Sequence, residues 1–278
     1  MEIQIPRIVL AEFNTHRVFS RNSASSRAIP IGKLLARVKD DPYMPEEWTA
    51  NGAGMQGHGL IASDTMREAD EIWARAADDA VERARQLLAL NVHKQTTNRL
   101  LEPFLWHTVI VTATEWGNFF NLRINPAAHP AIRNTAEAMR VEYLSATPTR
   151  LEFGDWHLPY VDERDAGLPR SSLIKLSTAR CARVSYLTHD GVREPIEDID
   201  LHDRLLAAGH MSPFEHTARP LNVHDVAAAL DRFAGVTYDR TQLNPAEHFA
   251  GNFRGWMQYR KTIRGEADIL GHRDGGGR

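Results

Sequence analysis

The feature that most constrains the fold is an apolar repeat of helical period between residues 66 and 88. Its members recur every three or four positions and therefore fall on one face of a helix. They are Met66, Ala69, Ile72, Trp73, Ala76, Ala80, Ala84, Leu87 and Leu88. Ser63 or Asp64 is available as the N-cap. The sequence thus predicts a long amphipathic helix that packs along one side of a core.

The other segments predict strands and helices without regular alternation. Residues 3–13 and the β-branched run LWHTVIVTAT (105–114) predict strands. Residues 40–60 are rich in proline and glycine and predict a long loop. Further helices are predicted at 31–39, 115–123, 130–144, 172–183 and 198–208. Because no steady βαβ rhythm is present, we expect an α+β fold with a mixed or antiparallel sheet and long flanking helices.

The chain of 278 residues is expected to form one domain over 1–278. Residues 148–170 are turn-rich and predict a connector between two halves. The polar, glycine-rich residues 272–278 predict a disordered tail.

The net charge of −3 provides no general attraction to nucleic acid or to an anionic membrane. The first residues lack a secretory signal pattern, and no apolar run approaches the ~20 residues needed to cross a bilayer. We therefore expect a cytoplasmic protein that binds neither nucleic acid nor membrane. The single cysteine, Cys181, cannot form an internal disulfide, and we expect it to be buried and inert.

Two short motifs favour ordinary structural interpretations. Gly52, Gly54 and Gly57 match G-x-G-x-x-G, but the preceding stretch DPYMPEEW is not a strand, so a flexible loop is favoured over a dinucleotide site. His210, Glu215 and His216 carry metal-ligating groups, but their spacing matches no helical pair and Pro213 interrupts them. No metal site is predicted.

The stretch THRVFSRNSASSR (15–27) concentrates three arginines and four serines near the N-terminus. Guanidinium groups bind phosphate through paired hydrogen bonds, and serine hydroxyls donate to the same oxygens. From these residues alone, an anion site and a solvated loop are equally favoured.

A second stretch, NFFNLRINPAAHPAIR (118–133), combines amides, guanidinium groups and aromatic rings. This mixture can bind the edge of a heterocycle and stack on its face. Taken alone, the stretch is better explained as an ordinary helix end.

Four segments together resemble the flavin-dependent thymidylate synthase family. The signature Arg-His-Arg, seven residues, then Ser is similar to Thr15, His16, Arg17 and Ser25, with Arg27 beyond. NFFNLR with the later Arg133 resembles the family's NFxxLR segment and following arginine. ARVSY (182–186) and GHMSPFEH (209–216) resemble its two flavin-contacting segments.

The order of these segments differs from that of typical members, in which the ARVSY and SPFEH segments come first. The resemblance therefore implies a fold like that of thymidylate synthase complementing protein with a circularly permuted order, which closely spaced termini tolerate. The connector 148–170 then joins the original ends. NFRGWMQYRK (252–261) is interpreted as a remnant of the strand that now starts the chain.

The resemblance implies FAD as cofactor, methylenetetrahydrofolate and NADPH as co-substrates, a pyrimidine deoxynucleotide as substrate, and a homotetramer with shared active sites. It implies that Ser25 and Arg133 are catalytic, and that Glu12, Ser25, Arg27 and Arg133 bind the substrate. Eight residues are implied in flavin binding: His16, Arg17, Asn121, Arg123, Ser185, His210, Ser212 and Glu215. The default reaction is FAD-dependent methylation of dUMP to dTMP.

Three departures from the family pattern leave alternatives open. Thr15 replaces the first arginine, Ser23 a common glutamate, and Glu12 a glutamine near the substrate. Arg21, Arg254 and Arg260 are candidates to replace the lost cation. The alternatives are a flavin-dependent hydroxymethylase of a pyrimidine nucleotide and a non-catalytic flavin- or nucleotide-binding homologue.

Overall fold

A three-stranded antiparallel sheet forms the centre of the protein. The computed structural model describes residues 1–186, 194–222, 251–263 and 266. Within them the strands are β1 (Glu2–Pro6), β2 (Ser20–Ser23), β3 (Trp106–Thr112), β4 (Ala218–Pro220) and β5 (Trp256–Gln258). The central sheet has the order β1-β3-β2, and β4 and β5 form a separate antiparallel pair. The predicted tail 272–278 lies outside the described residues.

Helices surround this sheet, as the α+β expectation requires. In chain order they are α1 (Leu10–Asn14), α2 (Ile31–Asp40), α3 (Ser63–Ala89), α4 (Lys94–Thr97), α5 (Gly117–Arg123), α6 (Pro130–Ser145), α7 (Arg170–Tyr186) and α8 (Pro195–Ala207). Among the described residues, no helix combines the length and apolar character that crossing a bilayer requires.

Strand β3 separates two layers of the core because successive side chains of a strand point to opposite faces. Val109 and Val111 pack with Phe13 and Phe119 on one face. Ile110 packs on the other face against Cys181 of α7. Cys181 is fully buried, as expected, and burial raises the pKa of its thiol.

The long helix α3 is confirmed, with Ala77, Val81 and Ala84 packed against Leu34 and Val38 of α2. Its predicted N-cap is wrong. The helix begins at Ser63 after Ala62, which makes no side-chain capping bond, and Asp64 instead accepts a hydrogen bond from the Thr65 amide.

The predicted strand at 3–13 is too long. The strand ends at Pro6, and a 3₁₀ turn at Arg7–Val9 leads into α1. Val9 and Phe13 stand four positions apart and both enter the same core cluster, which is a helical spacing. The sequence pattern is apolar and favours a strand, but the helical conformation places Val9 and Phe13 on the same buried face.

The connector 148–170 contains one 3₁₀ turn, Glu163–Asp165, and no other helix or strand until α7 begins at its last residue, Arg170. Arg180 of α7, buried within the structure, binds Asp165 of this connector and Asp198 of α8. The connector is therefore fastened to the second half of the chain by a buried ion-pair network.

Candidate functional site

The opening basic stretch is held in a turn between α1 and β2. His16 is buried at this turn, and its ring meets the edge of Phe119 with the ring centroids 4.9 Å apart. Phe13 and Phe19 pack together beside it, with their centroids 5.7 Å apart. Aromatic packing thus fixes the backbone that carries His16 and Arg17.

Arg123, the last residue of α5, reaches this turn. Its Nε donates to Nε2 of His16 at 2.8 Å, and its Nη2 donates to the Thr15 hydroxyl at 3.1 Å and to the Glu12 carbonyl at 3.3 Å. Because Nε2 accepts, the neutral ring of His16 carries its proton on Nδ1. Burial, followed by the charges of Arg123 and Arg21, lowers the pKa of His16 to about 4.

A polar cavity of about 430 Å³ opens beside this turn. One wall comes from the opening stretch and the other from the late segments of the chain. The lining residues are Asn14, Arg17, Phe19, Arg21, Glu215, Gly251, Asn252, Gln258, Arg260 and Lys261. Residues more than 230 positions apart therefore share one cavity.

Two arginines of the opening stretch have different roles in this cavity. Nη1 of Arg21 lies 2.7 Å from the His16 carbonyl oxygen and 3.2 Å from that of Asn14, so this side chain closes the turn. Arg17 is exposed, and within the described part of the chain its guanidinium makes no ion pair. Among the described lining residues, Arg17 is therefore a cation available to a ligand.

The SPFEH segment forms a 3₁₀ turn, Ser212–Glu215, anchored by the fully buried Phe214. Glu215 lines the cavity and accepts a hydrogen bond from Arg260 at 2.5 Å. Ser212 donates to Asn22 of β2 at 3.2 Å, and Asn22 donates to the Cys181 carbonyl at 2.8 Å. These bonds tie the turn to β2 and α7.

His216, one of the three residues considered as metal ligands, points into the protein. It is fully buried, with Nδ1 2.9 Å from the Thr112 hydroxyl, and burial lowers its pKa to about 3. His210 is exposed. In the described ranges, no three His, Cys, Asp or Glu side chains converge in a way that suits a metal ion.

Arg133 does not line the cavity. It lies in the first turn of α6, where its Nη2 forms an ion pair with Glu47 of the 40–60 loop. The next residue, Asn134, donates to Glu46 of the same loop. The loop is in turn fixed to α3, since Trp48 donates to Asp70 at 2.8 Å.

The other predicted site residues are more dispersed. Ser25 is half-buried and Arg27 exposed, and neither lines the cavity. Asn121 is exposed on α5. Ser185 lies in α7, but its side chain is outside the described part of the structure.

Glu12 has a distinctive position. Its backbone carbonyl binds Arg123 and Thr15, while its Oε2 is buried and has no hydrogen-bond partner in the described part of the structure. A buried acceptor without a partner is costly. This oxygen is suited to a ligand N–H or a water.

Sequence reasoning did not assign Asn252, Gln258 or Lys261 to the site. The signal was present in NFRGWMQYRK, which mixes amides, cations and aromatic rings as NFFNLR does. Of the three arginines considered as substitutes for the missing cation, Arg21 and Arg260 line the cavity, whereas Arg254 is largely exposed and pairs with Glu115.

A family model described as thymidylate synthase complementing protein matches residues 1–149, more than half of the chain. The chain belongs to this family. The match contains the Thr-His-Arg turn, α5 and Arg133, and the thymidylate synthase complementing protein family is flavin-dependent. The ARVSY and SPFEH segments lie beyond residue 149, so the permuted order stays a prediction. A comparison with curated proteins finds no match.

The chemistry of the cavity fits the family's cofactor. Arginine and lysine side chains bind phosphate oxygens, and the amides of Asn14, Asn252 and Gln258 offer both donors and acceptors. Phe19 adds an aromatic surface. This donor set suits an anionic ligand with a heterocyclic ring.

Proposed function

We propose that the protein is a flavin-dependent methyltransferase that methylates C5 of a pyrimidine deoxynucleotide, by default dUMP to dTMP. Methylenetetrahydrofolate is the carbon donor and NADPH the reductant. The observation that carries this proposal is the hydrogen bond from Arg123 to His16 beside the cavity of Arg17 and Glu215. This bond joins the NFFNLR segment to the turn that contains His16, and both lie within the matched residues 1–149.

FAD, when bound and reduced, supplies the hydride chemistry of the reaction. The chain's own residues bind and orient. Arg17, which forms no ion pair within the described residues, offers its guanidinium to the ligand, and neutral His16 keeps a defined tautomer because Arg123 occupies its Nε2. Glu215 keeps Arg260 directed at the cavity.

The buried cysteine supports chemistry without a protein thiol. Cys181 is the chain's single cysteine, is fully buried, and has its pKa raised by burial. A thiolate is the nucleophilic form of cysteine, and burial in apolar surroundings disfavours it. Attack of a protein thiol on the pyrimidine ring is therefore not part of the proposed mechanism.

The nucleotide is proposed to contact Ser25, Arg27 and Arg133. Arg133 supplies a cation that stabilises negative charge on the pyrimidine as C5 becomes nucleophilic, once the ligand has displaced Glu47 from it. None of these three residues lines the cavity of Arg17 in a single chain. This separation supports a homotetramer in which a neighbouring subunit completes each active site.

A second candidate is a flavin-dependent hydroxymethylase of a pyrimidine nucleotide. It is favoured by Glu12, whose buried Oε2 has no partner within the described residues and is suited to hold a water. In this reaction water, rather than hydride, completes the transferred one-carbon group. A non-catalytic binding protein is the outcome if flavin binds without turnover.

The test combines three measurements on the purified full chain. The absorbance spectrum with FAD reports flavin binding, and tritium release from C5-labelled dUMP with and without methylenetetrahydrofolate reports C5 chemistry. Mass spectrometry of the product distinguishes methyl from hydroxymethyl. A methyl product that requires reductant supports the proposal, and flavin binding without any tritium release contradicts it.

A further inference from the structure

We propose that segment 251–261 supplies a phosphate-binding subsite, formed by Arg260 and Lys261, to the cavity of Arg17. The ligand class is a phosphoryl group, from either the diphosphate of FAD or the monophosphate of the nucleotide. The inference rests on the proposed function for those two sources. It assigns a ligand-binding role to a segment that lies outside the family match at 1–149.

Strand β5 and the buried Gln258 position the segment. Gln258 pairs with Ala218 of β4 in the antiparallel register. Its Nε2 lies within hydrogen-bonding distance of three oxygens, namely Ser20 Oγ at 2.9 Å, Asn252 Oδ1 at 2.9 Å and the Glu215 carbonyl at 3.1 Å. One buried amide thus joins the segment to β2 and to the SPFEH turn, and the wall of the cavity is fixed before a ligand binds.

Gly251 lies against the side-chain amide of Gln258. Its φ is +59°, in the left-handed region that favours glycine, and a Cβ there would stand 2.1 Å from Oε1 of Gln258. A larger residue would displace the amide that holds the segment. A side chain at position 251 would therefore be strained by the backbone conformation and would crowd the Gln258 amide.

The charges around the cavity favour an anion. Arg17, Arg21, Arg260 and Lys261 line it, while Glu215 is the single carboxylate among the described lining residues. Glu266 lies outside the lining and binds Nε of Arg260 and Nζ of Lys261, each at 2.6 Å. Among the described residues in and next to the cavity, there are thus four cations and two carboxylates.

The ion pairs leave donors free for a ligand. Arg260 uses Nε for Glu266 and Nη1 for Glu215, and its Nη2 has no partner within the described residues. Lys261 uses one of its three N–H groups on Glu266. The two carboxylates hold these cations in place, and Arg17, which also lines the cavity, forms no ion pair with any residue that the structure describes.

The same geometry offers cations that could replace the arginine missing at Thr15. The Thr15 hydroxyl accepts from Arg123 and contributes no charge to the site. Arg254 pairs with Glu115 away from the cavity. Arg260 and Lys261 are the cations that the late segment brings to the cavity, which Arg17 also lines.

The experiment compares the double variant Arg260→Gln/Lys261→Gln with Arg254→Gln, a matched control on the same segment. Flavin fluorescence gives the affinities for FAD and for riboflavin, which lacks phosphate. Calorimetry gives the affinities for dUMP and for deoxyuridine, which lacks phosphate. If the FAD diphosphate is the ligand, the double variant loses about 10- to 100-fold in FAD affinity and nothing in riboflavin affinity. If the nucleotide phosphate is the ligand, dUMP shows the loss instead.

Unchanged affinity of the double variant for both phosphorylated ligands, with a wild-type circular dichroism spectrum, overturns the inference. If the double variant does not fold, Lys261→Gln and Arg260→Lys are measured instead. The affinity for the same phosphorylated ligand is then expected to fall, by a smaller factor than in the double variant. A wild-type chain that binds neither flavin nor nucleotide refutes the proposed function. In that case titration with inorganic diphosphate tests the subsite by itself, and equal binding to wild type and double variant refutes it.

Discussion

Nε of Arg123 donates a hydrogen bond to Nε2 of His16 over 2.8 Å, between residues 107 positions apart in the chain. The bond fixes the proton of His16 on Nδ1 and places a permanent positive charge against the ring. It also directs the end of α5 at the opening basic turn. Two short sequence motifs thereby become one structural unit.

Removing this cation should raise the pKa of His16. In Arg123→Gln the charge that keeps the ring neutral is lost, but burial, the largest cause, remains, so the pKa rises from about 4 and stays below 6.5. NMR titration of the His16 ring protons measures this shift. Arg140→Gln, an exposed change on α6, serves as control. A His16 pKa that falls in Arg123→Gln contradicts the assignment.

Stability should decrease as the pH falls from 7.5 to 5.5. Burial lowers the pKa of His107 and of His216 to about 3, so the unfolded chain binds protons near pH 6.5 and the folded chain does not. This contribution is constant above the unfolded pKa and is lost progressively below it, at about 1.4 kcal/mol per histidine by pH 5.5. Urea unfolding at both pH values measures the change.

The histidine variants identify the source of this pH dependence. His107→Gln should reduce the pH dependence by about 1.4 kcal/mol, the share of one histidine, while His58→Gln, at an exposed histidine, should leave it unchanged. Equal unfolding free energies of the wild type at pH 7.5 and 5.5 contradict the prediction.

Glu47→Gln should strengthen nucleotide binding in the proposed enzyme. The carboxylate of Glu47 forms an ion pair with the guanidinium of Arg133. A ligand that binds this guanidinium therefore has to displace the carboxylate. We expect the KM for the nucleotide to fall severalfold. The free energy of unfolding should change by less than about 1 kcal/mol because the pair is partly exposed. Steady-state kinetics with varied dUMP tests this.

Glu46→Gln is the matched control, because Glu46 contacts Asn134 rather than Arg133. It should leave the KM unchanged. A higher KM in Glu47→Gln shows that the carboxylate positions Arg133 instead of competing with the nucleotide.

Asp165→Asn should destabilise the protein strongly. Asp165 accepts two bonds from Arg180, at 2.5 and 2.9 Å, and both residues are buried. Arg180 keeps its bond to Asp198, but the buried cluster loses one of its two carboxylates, which costs about 3 to 5 kcal/mol. Denaturant unfolding measures the loss. Glu163→Gln, an exposed change in the same turn, should have little effect, and equal stability of the two variants would refute a fastening role for Asp165.

Local patterns in the sequence were sufficient for most of the secondary structure. The helical repeat predicted α3, the β-branched run predicted β3, and the segments around 115–123 and 130–144 became α5 and α6. These patterns succeed because each is set by neighbours within a few positions. The strand predicted at 3–13 failed where burial of Val9 and Phe13 favoured a helix.

The sequence by itself determined the chemistry of the site. It provides a histidine and three arginines in the opening stretch, a further arginine after NFFNL, and a single cysteine, which cannot form an internal disulfide. Only the tertiary structure decided which of these groups meet. Arg123 reaches His16, Arg133 is held by Glu47, and Arg260 and Arg17 line the same cavity. The physical reason is that such an arrangement depends on packing between residues as far apart as Ser20 and Gln258, 238 positions, which no local spacing encodes.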